Sequence, residues 1–462
     1  MSSALGHAPP RPGALLRLAL PMAASAGLGF FMHYANRTVL AWHSPESLAA
    51  SLPAGMTAWT FQSFFIVTCG YLGTFAAQHH AAGEDEEAGR MVWPMAMIAA
   101  GAAVVCTLLI LLRHPIAAAY GTAPGVAADL AELLAWYLGE TALISLVAGI
   151  GGFAGGIGRT GLVMLISAVG CALSIALNLW WVRGGLGVPA LGVTGAGLAT
   201  VVTAGVVAAI WVGWLLHGER ARRFQVWRGR RMGLERGRVL RFLRYASPRG
   251  ASEVLEMLAF VAFTAVITRM STEQLAAANL AMSTWIALLV PAMGFAQGIG
   301  IAVGQAVGAG HPEHARRAVA LGWRMLMPYL ILTGSLLAAA PQVMLAPGRA
   351  PGMDDAAWAA FLAMAQPVAL CIGLSVPADG LHHLYRFALG GAGDTRWPFV
   401  VLVAVSILGL AVPAWILAAT ITDPGVRLWA VYLLMAAILW LMAGIMWWRW
   451  RFGPWPTMSV RS

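Results

Sequence analysis

The chain has 462 residues, 60% of them hydrophobic and only 10% charged, and its mean hydropathy is +0.75. That balance excludes a soluble globular domain and indicates a polytopic membrane protein. The net charge of +10 does not indicate a nucleic-acid partner, because ten of the 29 basic residues, all arginine, crowd between Gly218 and Arg244; a cluster between two apolar runs reads as a topology signal.

Twelve apolar runs long enough to cross roughly 30 Å of hydrocarbon follow in chain order. They lie near residues 14–40, 50–78, 91–112, 126–152, 161–183, 194–216, 240–269, 275–307, 317–341, 355–388, 396–420 and 427–449. Their hydrophobicity is continuous, not alternating, which predicts helices rather than a transmembrane barrel. The predicted fold class is an all-α polytopic membrane protein of twelve transmembrane helices. Arg11 and Arg17 precede a full-length first span, so no cleavable signal peptide is expected. Cys69, Cys106, Cys171 and Cys371 fall within spans without metal-ligand spacing and read as packing residues.

Several spans carry polar residues. The first holds His33, Asn36 and Arg37, the fourth Glu140, the fifth Asn178 and the sixth Thr200. The positive-inside rule places the arginine-rich stretch after the sixth span on the cytoplasmic side. Arg316 and Arg317 after the eighth span, and Arg449 and Arg451 at the end of the twelfth, agree. Both termini are then cytoplasmic, in an inner (plasma) membrane.

An internal repeat relates the two halves. SPESLAASLPAGMT from Ser44 matches STEQLAAANLAMST from Ser271, and the same offset of 227 pairs Gln78 with Gln305 and Gly83 with Gly310, giving 14 identities over 47 positions. GGIGRT at Gly155–Thr160 and GGAGDT at Gly390–Thr395 pair at an offset of 235. Neither has the spacing of a nucleotide-binding loop. Six spans per repeat put both halves in the same orientation, the plan of a parallel-repeat transporter with two lobes around a central cleft. The expected division is an N-lobe of 1–217, a basic linker of 218–239 and a C-lobe of 240–462.

The seventh and tenth spans hold most of the intramembrane acid, which by default marks an ion or substrate pathway. Arg249 and Glu253 are four residues apart and suit a structural ion pair on one helix face. Glu256 lies eight residues beyond Pro248, about 12 Å deeper at 1.5 Å per residue, so its partner has to come from another helix or an ion. Asp379 follows Pro377 and precedes Gly380, which weaken the helix and free carbonyls beside the carboxylate, a common way of building a cation site. His382 and His383 lie three and four residues on, on the Asp379 side. Arg386 completes the set.

These features resemble the multidrug and toxic compound extrusion transporters, in their NorM-like branch. The resemblance rests on the repeated LAA segment followed by Gln-x-x-x-x-Gly, on ALNLWWVRGGLGVPALGVTGAGLAT at 176–200 and on LGGAGDT at 389–395. It implies two six-helix lobes, alternating access and export of amphipathic, often cationic, organic compounds in exchange for Na+ or H+. It also implies that Glu256 and Asp379 hold the coupling cation, a sodium ion or a proton, and that Asn178 and Thr200, with Asn36, contribute cavity polarity; His382 and His383 read from their spacing either as lining a wet cavity or meeting the interface, or as a proton relay, and His383 is counted with the cavity residues. An aromatic of the family falls on Ser375 here. An acid of the first span falls on Asn36, and a second N-lobe acid on Val182, so coupling is expected in the C-lobe.

The expectation is therefore a monomeric multidrug antiporter, not an enzyme. It would need no cofactor beyond the coupling ion, and its partners would be the lipid bilayer and a small amphipathic cation. The nearest rival is a lipid-linked oligosaccharide flippase of the same superfamily, which would line its cavity with arginines such as Arg37 and Arg386. A membrane-embedded transferase would require a loop of convergent catalytic residues, and the outer loops are short.

Overall fold

The computed structural model describes residues 7–185, 187–267, 272–349 and 352–461. Ser271, where the second repeat copy opens, and the predicted end of the seventh span at 268–269 lie outside them. The spans in order are Pro12–Ala41; Pro45–Gly70 continued by Leu72–Ala81; Val92–Ile110; the pair Pro124–Gly139 and Thr141–Gly156; Thr160–Arg183; and Gly192–Leu216. The second half runs through Arg236–Ile267, Thr272–Gly308, Pro312–Ala339, Asp355–Ala392, then Arg396–Ala404 joined by a π-helical stretch to Val412–Thr420, and Pro424–Phe452. They coincide one for one with the predicted runs.

Among the described residues nine helices are long and apolar enough to cross a bilayer, and the fourth-span pair, bent by 41°, makes a tenth. The other two, the second and seventh spans, are long but more polar. The second is rich in Ser, Thr and Gln, and the seventh begins on arginines and carries Glu253 and Glu256.

Buried side chains sort largely by half. One cluster runs from Phe263 to Trp455 and takes in Leu15, Leu18 and Ala19 of the first span. Another spans Met22 to Val226 and takes in Phe242 and Ala246 of the seventh. The first span of each half thus starts on the opposite half. Glycine makes this close approach possible: a Cβ at Gly298 would press on Ala19, and one at Gly250 on Thr68 and Phe64.

The repeat reappears in the backbone. Gly83 and Gly310 both end a helix in the left-handed region, with φ of +79° and +81°, a conformation that costs glycine nothing. The next amide then closes the helix in each copy, Glu84 N–H onto the His79 carbonyl at 2.8 Å and His311 N–H onto that of Ala306 at 2.9 Å. A Cβ on Gly156 would collide with the Gly73 carbonyl, and one on Gly391 with that of Gly300. These are the same contact at the two offsets.

Two hydrogen bonds join the halves reciprocally. Gln78 Nε2 donates to the Gly391 carbonyl at 2.9 Å, and its repeat mate Gln305 Nε2 donates to that of Gly156 at 2.8 Å. The C-terminal segment reinforces the join, since Gln78 Oε1 accepts from the Ser459 hydroxyl and the Val460 N–H, each at 3.0 Å. Residues 218–239 are no loose strap. Phe224 and Val226 are buried in the first half, and Val226 O accepts from Trp93 Nε1 at 2.8 Å. Their arginines meet the acidic turn that follows the second span, with Arg223 2.5 Å from Asp85 and Arg238 2.7 Å from Glu87.

Candidate functional site

The first half carries a cavity of about 680 Å3, within the range of small-molecule sites. The first, second, fourth, fifth and sixth spans wall it, and Met257 of the seventh also lines it. Its polar lining includes His33, Asn36, Arg37, Gln62, Glu140 and Thr200 among mostly apolar neighbours. Asn36 Nδ2 donates to Ser174 Oγ at 2.9 Å, and the Thr200 hydroxyl to the Gly197 carbonyl at 2.8 Å. Asn178 is wholly buried and bonded to its own helix at Ser174 O, 3.0 Å away, so Ser174 rather than Asn178 forms the wall there.

Glu140 sits at the 41° break between Gly139 and Thr141. The bend points a carboxylate into a pocket whose expected acids fall on Asn36 and Val182. Sequence reasoning marked Glu140 only as an ionisable residue within a span, and no motif surrounds it.

A second cavity, of about 440 Å3, lies between the halves. Ser25, Trp59 and Tyr71 line it from one side, and Arg249, Glu253, Gln297 and Phe387 from the other. Arg249 and Glu253 lie 3.0 Å apart, and the Arg249 guanidinium covers the Phe387 ring at 4.9 Å. Behind them, Arg386 of the tenth span bonds to both seventh-span acids, to Glu253 at 3.0 Å and to Glu256 through its other terminal nitrogen. The partner that Glu256 requires from another helix is this arginine.

Asp379 stands two turns before Arg386 and pairs with no arginine among the described residues. His383 Nε2 lies 3.5 Å from its carboxylate and His382 Nδ1 3.8 Å. His383, expected among the cavity residues, is buried beside Asp379 instead. With all three carboxylates (Glu253, Glu256, Asp379) ionised and the imidazoles neutral, two guanidiniums (Arg249, Arg386) leave a charge of −1. Because both arginines are engaged by the glutamates, the surplus sits on Asp379. Upstream, Pro377 has no N–H to offer the Gly373 carbonyl, and this loosens the turn before Asp379.

The MatE family model matches residues 248–415. A probable multidrug resistance protein NorM of Deinococcus radiodurans is 30% identical over 412 residues, covering 86% of each chain. That of Pseudomonas syringae pv. tomato is 28% identical over 408 residues, 87% of each. Among solved structures, a MOP superfamily transporter from Pyrococcus furiosus superposes with a TM-score of 0.85 at 17% identity, covering 97% of each chain. The reverse polarity of its binding pocket has been taken to suggest a different function. A MATE structure in complex with MaL6 gives 0.82 at 18% identity over 99% of each chain. At these identities the structural likeness speaks for the fold.

Proposed function

The chain belongs to the MatE family of membrane transporters, and from that premise we propose that it is a secondary antiporter, exporting amphipathic cationic compounds in exchange for Na+ or H+ by alternating access. The relatives from Deinococcus and Pseudomonas carry the name multidrug resistance protein, which supports a broad small-molecule cargo. The 680 Å3 cavity with Glu140 among apolar walls suits such a cation.

The observation that carries the coupling assignment is that no arginine among the described residues pairs with Asp379. A carboxylate kept at membrane depth without a cationic side chain calls for an ion or a proton. The cation neutralises Asp379 in one orientation and leaves in the other, while Arg249 and Arg386 together balance Glu253 and Glu256. Glu256 belongs to the coupling site through that arginine, because any shift of Arg386 toward Asp379 would uncover it. A membrane potential contributes about 2.3 kcal/mol per charge per 100 mV, enough to drive cargo uphill.

The moving bodies are the N-lobe of 1–217 and the C-lobe of 240–462, with 218–239 carried by the N-lobe. Both termini and the arginine-rich segment face the cytoplasm in this reading, and the Gln78 and Gln305 bonds have to break for that side to open. Flipping of an anionic lipid-linked sugar is disfavoured because Arg386, one of its two candidate arginines, is engaged by Glu253 and Glu256, while Arg37, the other, lines a cavity that Glu140 also lines.

The test is cationic-dye efflux from vesicles under imposed Na+ or H+ gradients. Asp379→Asn should abolish gradient-driven efflux, and Glu256→Gln should weaken it. Unchanged efflux in both variants refutes the coupling assignment.

A further inference from the structure

Asp379, His382 and His383 carry more unsatisfied polarity than a carboxylate and two packing imidazoles should. They are 3%, 4% and 6% exposed. Among the described residues Asp379 Oδ2, both ring nitrogens of His382 and Nδ1 of His383 have no hydrogen-bond partner. Buried polar atoms are rarely left so, because each orphan costs about 1–3 kcal/mol. Four such atoms converge within one helical turn, where no protein group among the described residues serves them.

We propose that this trio is a site for a borderline divalent transition-metal ion of the Zn2+, Co2+ or Ni2+ class. The three residues stand at i, i+3 and i+4, on one face of the tenth span. One ligand atom from each lies within 4.8 Å of the others. Bonds to such an ion are about 2.0–2.1 Å, so small side-chain rotations close the site and leave a fourth position open. Two imidazoles and one carboxylate favour a borderline ion, whereas hard ions such as Mg2+ and Ca2+ favour oxygen alone. The surplus charge of −1 supplies the attraction, and the metal and the coupling cation exclude each other at Asp379. The proposal deepens the coupling assignment by sharing that carboxylate, but metal binding is measured without transport.

The experiment titrates metal-free, tag-free full-length protein in detergent with Zn2+ by calorimetry and with Co2+ by visible absorption. The expected result is one ion per chain, with Co2+ bands of tetrahedral nitrogen and oxygen coordination. His382→Asn and His383→Gln, each verified as folded by monodisperse elution, should lose the bands. Among the described residues the partly exposed trio His311, Glu313 and His314 is the other group able to chelate, so the double variant His311→Ala/His314→Ala should retain them. Wild-type protein without Co2+ bands overturns the proposal, independently of any variant. Binding that survives both buried histidine changes but disappears with the surface pair also overturns it. If metal binds as expected while efflux ignores Asp379→Asn, the coupling assignment fails and the metal site stands.

Discussion

Arg386 decides how one buried and two partly buried carboxylates share two guanidiniums. Removing it leaves Glu253 supported by Arg249 alone and Glu256 without a partner, and an uncompensated buried charge typically costs about 3–5 kcal/mol. Arg386→Ala should therefore lower the thermal unfolding temperature in detergent well below wild type. Arg386→Ala/Glu256→Gln should recover part of the loss, since the amide removes the orphaned charge. Equal destabilisation in the single and double variants would show that Arg386 acts through packing and not through Glu256. Glu140 presents the complementary case of an acid with room around it. Glu140→Gln keeps the shape of the cavity wall and removes its charge. It should weaken binding of a cationic dye, read by fluorescence polarisation, by about tenfold, the equivalent of 1.4 kcal/mol, while a neutral dye of similar size is held as before.

Glycine at matched positions sets how closely the spans pack, which makes the element scale the place to test the duplication. Gly156→Val and Gly391→Val both drive a side chain into a backbone carbonyl, of Gly73 and Gly300 respectively. Backbone has little room to yield, so both variants should lose folded yield to a similar degree in detergent gel filtration; one tolerated and one lost would mean the two contacts are not equivalent. This symmetry was legible in the sequence because a repeat preserves its turns: Gly83 and Gly310 match residue for residue, and both adopt positive φ. The twelve spans were legible because hydropathy over some twenty residues is a local property. The Arg249–Glu253 spacing was also local, being one helical turn. What could not be read is any pairing that depends on which spans face each other. The contact between Arg386 and Glu256 joins the tenth and seventh spans across 130 residues, and the opening of Glu140 into the cavity of the first half depends on a bend that no proline marks. The docking of 218–239 was hidden for the same reason, since its polarity suggested a linker while Phe224 and Val226 pack inside.

At the scale of the whole molecule, the arginine-rich face is closed by contacts that are either reciprocal or ionic, and the two kinds predict different behaviour. The ionic set centres on the acidic turn. The Arg461 guanidinium holds the Glu84 carboxyl below its ordinary range; Glu87 is also held below it, burial opposing and Arg238 and Arg90 prevailing. A carboxyl with a lowered folded pKa stabilises fully above its unfolded value of about 4.5 and loses that stabilisation as pH falls through the folded value. Wild type should thus exceed Glu84→Gln/Glu87→Gln in thermal stability at neutral pH, and the gap should close as the buffer is taken below that value. A gap independent of pH would assign the effect to shape. The reciprocal set should be insensitive to pH, because Gln78 and Gln305 are neutral donors. If each glutamine latches the opposite half, Gln78→Ala alone should raise amide hydrogen exchange in the 155–160 turn as well as in 390–395, since both bonds have to part together when the halves rock. Gln305→Ala should do the same. Exchange confined to the turn that lost its own bond would mean the halves loosen piecemeal, and rigid-body alternation about this face would then be the wrong description of how the transporter opens.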